Sequence, residues 1–243
     1  MTALQNDQKS YADLPEARLF AVLAESLKQP FTTIARTAEL LVESPDVVLL
    51  RNIESTADAA TQLLDHYLLS LRLQRAGTEL NLEPVSLAAS LTEVAHKLEK
   101  AAQQYLCDIE LHIAGRYEPI MAHSAGLSAA LLDLGTVFLE TQSQRTHTHR
   151  PVLKLAAHRT RHGIVAGIFA DVEGLSTDMF RRARQVYGQA ATPLNQVTST
   201  TGAGIFVADA LLKNMSGGLR VAHHQKLTGL AATFVPSQQL VLV

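Results

Sequence analysis

Glu25-Ser26-Leu27-Lys28-Gln29-Pro30-Phe31-Thr32-Thr33-Ile34 lies at the centre of the most regular pattern in the chain. Around it, Phe20, Leu23, Leu27, Pro30, Ile34, Thr37 and Leu41 recur at alternating spacings of three and four. That is a heptad seam, and it predicts a helix from Pro15 to Glu43. Pro30 removes one backbone donor inside the helix, so a kink is expected there. Ser44-Pro45-Asp46 stops the pattern and can cap a second helix. The same spacing resumes with Leu50, Ile53, Ala57, Ala60, Leu64, Tyr67, Leu71 and Gln74, predicting that helix to Ala76. Two long helices joined by a short turn form an antiparallel hairpin. A single hairpin leaves half its seam uncovered, so the pattern predicts a homodimer with a four-helix bundle. The polar residues 1–14 read as a flexible N-terminus.

The rest of the composition narrows the function classes. Of 243 residues, 47% are hydrophobic and 18% charged, which marks a globular chain. The formal net charge of −2 gives no global electrostatic case for nucleic acid or an anionic membrane. One cysteine, Cys107, excludes an internal disulfide and a cysteine-built metal site. No apolar run approaches the roughly 20 residues that span a bilayer, and no signal segment opens the chain. A cytoplasmic protein without membrane insertion is expected.

Beyond Gly77 the pattern changes. Leu80–Val85 reads as a short strand, Leu87 to about Tyr105 as an amphipathic helix, and Ile109–Ile113 as a strand. Ile120 and Met121 make an extended piece, and Leu127 to about Glu140 a helix. Residues 152–157 and 164–170 read as a hairpin. Residues 185–203, rich in Thr, Gln, Ala and Gly, read as a mobile loop. Ile205 to about Met215 is a helix with Gly217-Gly218 as its C-cap. Leu219–Ala222 and Leu230–Val235 close the unit. The whole is α+β: a helical hairpin over 15–76, then an α/β sandwich over 80–243.

In this order, the chain resembles the core of a two-component sensor histidine kinase. Residues 25–34 match the rhythm of the phosphoacceptor box, His-Glu-Leu-Lys/Arg-Thr-Pro-Leu-Thr-x-Ile. The resemblance places Glu25 where that family keeps its phosphorylated histidine, and Ser26 at the next, usually acidic, position. Gln29 stands where such kinases keep a residue that positions water for dephosphorylating a partner. The second half resembles the Bergerat-type ATP-binding domain shared with gyrase and Hsp90. Leu132-Asp133-Leu134-Gly135-Thr136-Val137-Phe138 aligns with the N-box helix. Asp133 matches its first asparagine, and Val137 stands where the magnesium-ligating asparagine belongs. Asp171-Val172-Glu173-Gly174-Leu175 matches the G1 box, whose aspartate meets the adenine amino group. Thr201-Gly202-Ala203-Gly204-Ile205 matches the G2 box, whose glycines approach phosphates at a helix N-terminus.

The resemblance implies a degenerate kinase. Glu25 has no nucleophilic nitrogen, and Val137 offers a hard cation no oxygen. Asp133, Asp171, Gly174, Gly202 and Gly204 are the candidate nucleotide residues. The expected cofactor is none, or weakly bound ATP or ADP without magnesium, and no metal site is expected. The expected function is a dimeric scaffold or regulator in two-component signalling that docks a response-regulator receiver-like partner. The alternatives are a working kinase, a phosphatase using Gln29, or phosphotransfer at His66, the hairpin's one histidine. Each motif also has a plain reading. Gly202 and Gly204 suit any loop-to-helix turn, Asp171 a turn cap, and Asp133 a solvated or capping carboxylate. Glu25 and Gln29 suit an exposed helix surface. His147, His149, His158, His162, His223 and His224 read as solvated, and Arg181, Arg182 and Arg184 as a solvated basic face.

Overall fold

The computed structural model describes residues 15–76, 80–143, 149–187 and 202–237. The flexible reading of 1–14, the helix stop at Gly77, His147 and most of the expected 185–203 loop lie outside the described residues. Helix α1 runs Pro15–Glu43 without a break at Pro30, and α2 runs Val47–Ala76. Asp46 caps α2 by accepting a hydrogen bond from the Val48 amide at 2.7 Å.

Next come β1 (Glu83–Val85), α3 (Leu87–Gln104), β2 (Asp108–Ile113), β3 (Ile120–Ala122) and α4 (Ser124–Ser143). Then follow β4 (Val152–Thr160), β5 (Gly163–Ala170), α5 (Thr177–Val186), α6 (Ala203–Ser216), β6 (Arg220–His224) and β7 (Leu227–Phe234). The expected strand at 80–85 shortens to its last three residues. Helix α4 begins three residues before Leu127. Helix α5 replaces the start of the expected loop, because the Ser176 hydroxyl accepts from the Met179 amide and caps it. Helix α6 ends at Gly217, left-handed at φ +81°, as the glycine pair predicts.

The main sheet has the order β2-β4-β5-β7-β6. Strand β2 is parallel to β4, and the other pairs are antiparallel. Strands β1 and β3 form a small separate ribbon. Helices α3, α4 and α6 cover one face of the sheet. The hairpin lies on the far side of those helices, against α4 and α6. The helix layer is therefore covered on both sides, which is why α4 and α6 are apolar nearly all round. Leu19, Val22, Leu23, Tyr67 and Leu73 of the hairpin join one continuous core with Leu131, Phe206 and Leu211. Arg18 fastens the same junction. Its guanidinium donates to the carbonyls of Tyr187 and Gln185 and lies 4.8 Å over the Tyr187 ring. Tyr187 in turn stacks on Phe206.

The expected seam holds along α1, where Leu23 is buried and Leu27, Ile34 and Leu41 are half-buried. It has a gap on each helix: Phe20 of α1 is 57% exposed and Leu64 of α2 38%. More exposed apolar side chains, Leu40, Val42, Val47, Val48 and Leu50, gather at the hairpin tip.

Candidate functional site

One face of α4 presents Asp133, Thr136, Val137 and Glu140, spaced by three, one and three residues, to a cavity of about 510 Å³. The opposite wall belongs to the hairpin: Ser26, Gln29, Pro30 and Thr33 from α1, with Gln62 and Leu63 from α2. Lys100 and Tyr105 close one end, and Gly204 another. Thus the helix matching the N-box and the helices matching the phosphoacceptor hairpin face one another across a single cleft.

Glu25 is not part of that lining. It is exposed and forms an ion pair with Lys28 one turn along α1. Ser26 and Gln29 do line the cleft, with Pro30 and Thr33, and Glu25 falls just beyond the edge of that helix face.

Asp133 is buried, 5% exposed, which corrects its reading as a solvated or capping carboxylate. Its Oδ1 lies 2.6 Å from His66 Nδ1. Its Oδ2 is buried with no hydrogen-bond partner. Burial drives the carboxyl up to about 6, against the opposing pull of His66. Glu140 is pushed up to about 7 by burial. Burial also raises the Tyr105 phenol, and the Glu140 carboxylate adds to that. The α4 face therefore holds two carboxyls that resist ionisation.

Gly204 has a visible structural reason. A Cβ there would fall 2.8 Å from Val137 Cγ2 and 3.3 Å from the Asp133 carbonyl oxygen. The missing side chain lets α6 close onto α4, and Val137 fills the gap. Gly202, buried and left-handed at φ +72°, starts α6 without a side-chain cap. Asp171 is exposed after β5, and its carbonyl oxygen accepts from Gln142 Nε2 at 3.0 Å. Gly174 is exposed in a left-handed turn at φ +81°. Neither Asp171 nor Gly174 lines the cleft.

Comparison with solved structures gives a histidine kinase, AdeS of Acinetobacter baumannii, at TM-score 0.52 and 16% identity. The match covers 85% of this chain and 96% of that one. The fold is that of a histidine kinase core. Full-length ShkA, solved in complex with AMPPNP, is similar to this chain at TM-score 0.54 and 20% identity. That match covers 90% of this chain and 46% of ShkA. No family profile matches the sequence, and comparison with curated proteins returns no relative. Among the described residues, no helix is long and apolar enough to cross a membrane.

Three groupings escaped the sequence reading. The His66–Asp133 contact joins α2 to α4. It was detectable in part, since Leu63, His66, Ser70 and Leu73 form a second helical stripe offset from the heptad seam. Arg184 is not solvated. It pairs with buried Asp209, donates to the Leu219 carbonyl at 2.5 Å and lies over Phe180. Only Arg181 and Arg182 are exposed as expected. Lastly, His224 is buried and meets His112 and His158, so the reading of His158 and His224 as solvated is corrected. His162 and His223 are exposed.

Proposed function

We propose that this protein is a histidine-kinase-like regulator that has lost phosphoryl transfer at the phosphoacceptor position and works as a dimeric docking scaffold. The observation that carries this reading is the double replacement along one line of the molecule. Glu25 sits in solvent, paired with Lys28, where the family places its histidine. Val137 packs into Gly204, where the family places a magnesium ligand against a phosphate-approaching glycine. Phosphoryl transfer depends on the metal to offset charge on the β- and γ-phosphates. Without it the rate should fall roughly a thousandfold or more. Asp133, Asp171, Gly174, Gly202 and Gly204 remain the nucleotide candidates, with weak, magnesium-independent binding of ATP or ADP at most.

The broad apolar junction between hairpin and helix layer supports a scaffold role as well. A kinase must move its nucleotide domain to reach the hairpin, and a buried apolar interface opposes that motion. The half-covered seam and the apolar hairpin tip support a second copy of the chain as partner. The surface around Lys28 and Thr32 is the proposed receiver-like docking face.

A second reading, phosphotransfer at His66, is favoured by the Asp133 contact, which orients the imidazole. One experiment separates the readings. The chain is incubated with radiolabelled ATP and magnesium. The scaffold reading expects no acid-labile label. Label that disappears in His66→Gln would establish the second reading, and label that survives there would overturn both. Light scattering tests the dimer. A monomer at micromolar concentration would exclude it, and Ile53→Asp should dissociate it.

A further inference from the structure

The sheet face turned away from the helices carries a cluster of its own. Ala156, Val165, Phe169 and Ala231 pack there, with Ala222 and Leu227 against them. Strands β2 and β6 are opposite edges of this sheet. Yet His112 Nδ1 on β2 lies 2.6 Å from His224 Nε2 at the end of β6. The β6–β7 turn reaches over the face to make this possible. His224 lies above Phe169, with ring centroids 5.3 Å apart. Lys154 Nζ on β4 donates to Gln225 Oε1 in the turn at 2.9 Å. Gln225 holds φ at +55°, a left-handed conformation that a non-glycine residue adopts at a cost. A glycine would relax the turn and lose the contact to Lys154.

We propose that the β6–β7 turn is an acid-released clasp over the outer face of the sheet. The geometry requires it to be sensitive to protons. A nitrogen-to-nitrogen hydrogen bond needs one N–H donor and one bare nitrogen, so the two imidazoles cannot both be protonated and keep it. The groups facing His224 are nearly all basic: His112 from β2, and His158 and Lys154 from β4. Glu110 of β2 answers only Lys154, at 2.8 Å. His158 Nδ1 is itself buried without a partner. On β6 the neighbouring His223 is exposed and meets Thr228 instead. Burial first, and then these cations, hold His224 below its ordinary value of 6.5.

Above pH 6.5 His224 is neutral whether the clasp is closed or open, and closure is at full strength. As pH falls through 6.5 the open form takes up the proton and the closed form does not. Closure weakens until the pH passes below the closed-state value. Release would uncover Phe169 on a face otherwise built of small residues.

Hydrogen exchange of the 220–228 amides, corrected for intrinsic rate, tests this. The β5 amides 164–169 serve as the internal reference. Between pH 7.5 and pH 5.0 the turn should lose severalfold in protection relative to β5, because the open form takes up a proton that the closed form excludes. His224→Phe fills the same place above Phe169 without titrating and should keep its protection at both pH values. His112→Gln gives a protonated His224 an oxygen to donate to, and it should lose markedly less protection than wild type. Wild-type protection that does not change with pH would overturn the proposal. So would equal acid loss in wild type and in His112→Gln or His224→Phe.

Discussion

The hairpin-facing side of the helix layer and the outer face of the sheet both bury ionisable groups, and they do so with opposite sign. On α4 the groups are carboxyls, Asp133 and Glu140, which burial holds toward their neutral, protonated form. On the sheet they are imidazoles, with His224 held toward its neutral, deprotonated form. One region prefers acid and the other prefers base. Desolvation, more than any ion pair, therefore sets the charge in both places. Asp133 stays high even with His66 beside it, whereas exposed Glu118 is pulled down by Arg159.

The largest test of the contrast is His66→Ala. It leaves Asp133 buried with neither oxygen paired, and should cost about 3 kcal/mol at pH 8. At pH 5 Asp133 is mostly protonated, so the same substitution should cost clearly less. Urea unfolding at the two pH values reads both numbers, and equal costs would mean that the charge on Asp133 does not matter to the fold. Next is Glu140→Gln, which relieves a charge that burial disfavours. Stability at pH 8 should rise by about 2 kcal/mol, with little change at pH 5. A loss at pH 8 would mean that the Glu140 carboxylate makes favourable contacts that outweigh its burial.

A subtler effect appears in the pH profile of thermal unfolding. The α4 carboxyls remove stability as pH rises, from 4.5 to about 7 for Glu140 and from 3.8 to about 6 for Asp133. His224 removes stability as pH falls below 6.5. The two effects oppose one another in wild type. His224→Phe should tilt the profile, raising Tm at pH 5 relative to pH 7.5 by a few degrees more than in wild type. An unchanged tilt would detach the histidines from stability. The smallest effect belongs to Lys28→Ala, since its pair with Glu25 lies in solvent. It should change stability by less than about 0.5 kcal/mol at any pH, and a larger shift in the same unfolding assay would mean that the pair is shielded from water.

How legible was this in the sequence? The helices of the hairpin were, because a heptad seam repeats over many turns and Asp46 caps the second helix in the expected place. The left-handed end of α6 was, because two glycines follow it. Helix α5 was not. Its amphipathic pattern, with Met179, Phe180 and Ala183 on one face, lasts only 10 residues inside a polar, arginine-rich stretch, and its start depends on the Ser176 cap. Residues Asp133 and Glu140 could be placed on one helix face, but not their burial. That depends on the hairpin lying across α4, a contact between segments far apart in the chain. His112, His158 and His224 come from three strands, and no local spacing reveals that a turn carries the last onto the first. Matching to a motif identified Gly204 and missed its use. Only the packed structure makes clear that Val137 occupies the space a side chain there would need.

The junction fastened by Arg18 also has a consequence in time. Arg18 and its acceptor on Tyr187 are 169 residues apart. During synthesis at roughly 5–20 residues per second, the hairpin leaves the ribosome on the order of ten to thirty seconds before its partner helices exist. For that interval Leu19, Val22 and Leu23 have no helix layer to lie against. The nascent hairpin must wait, pair with another nascent hairpin, or be held by a chaperone. Such long-range closure is slow even for a complete chain. The order in which the halves emerge thus gives association between two hairpins a head start over docking within one chain.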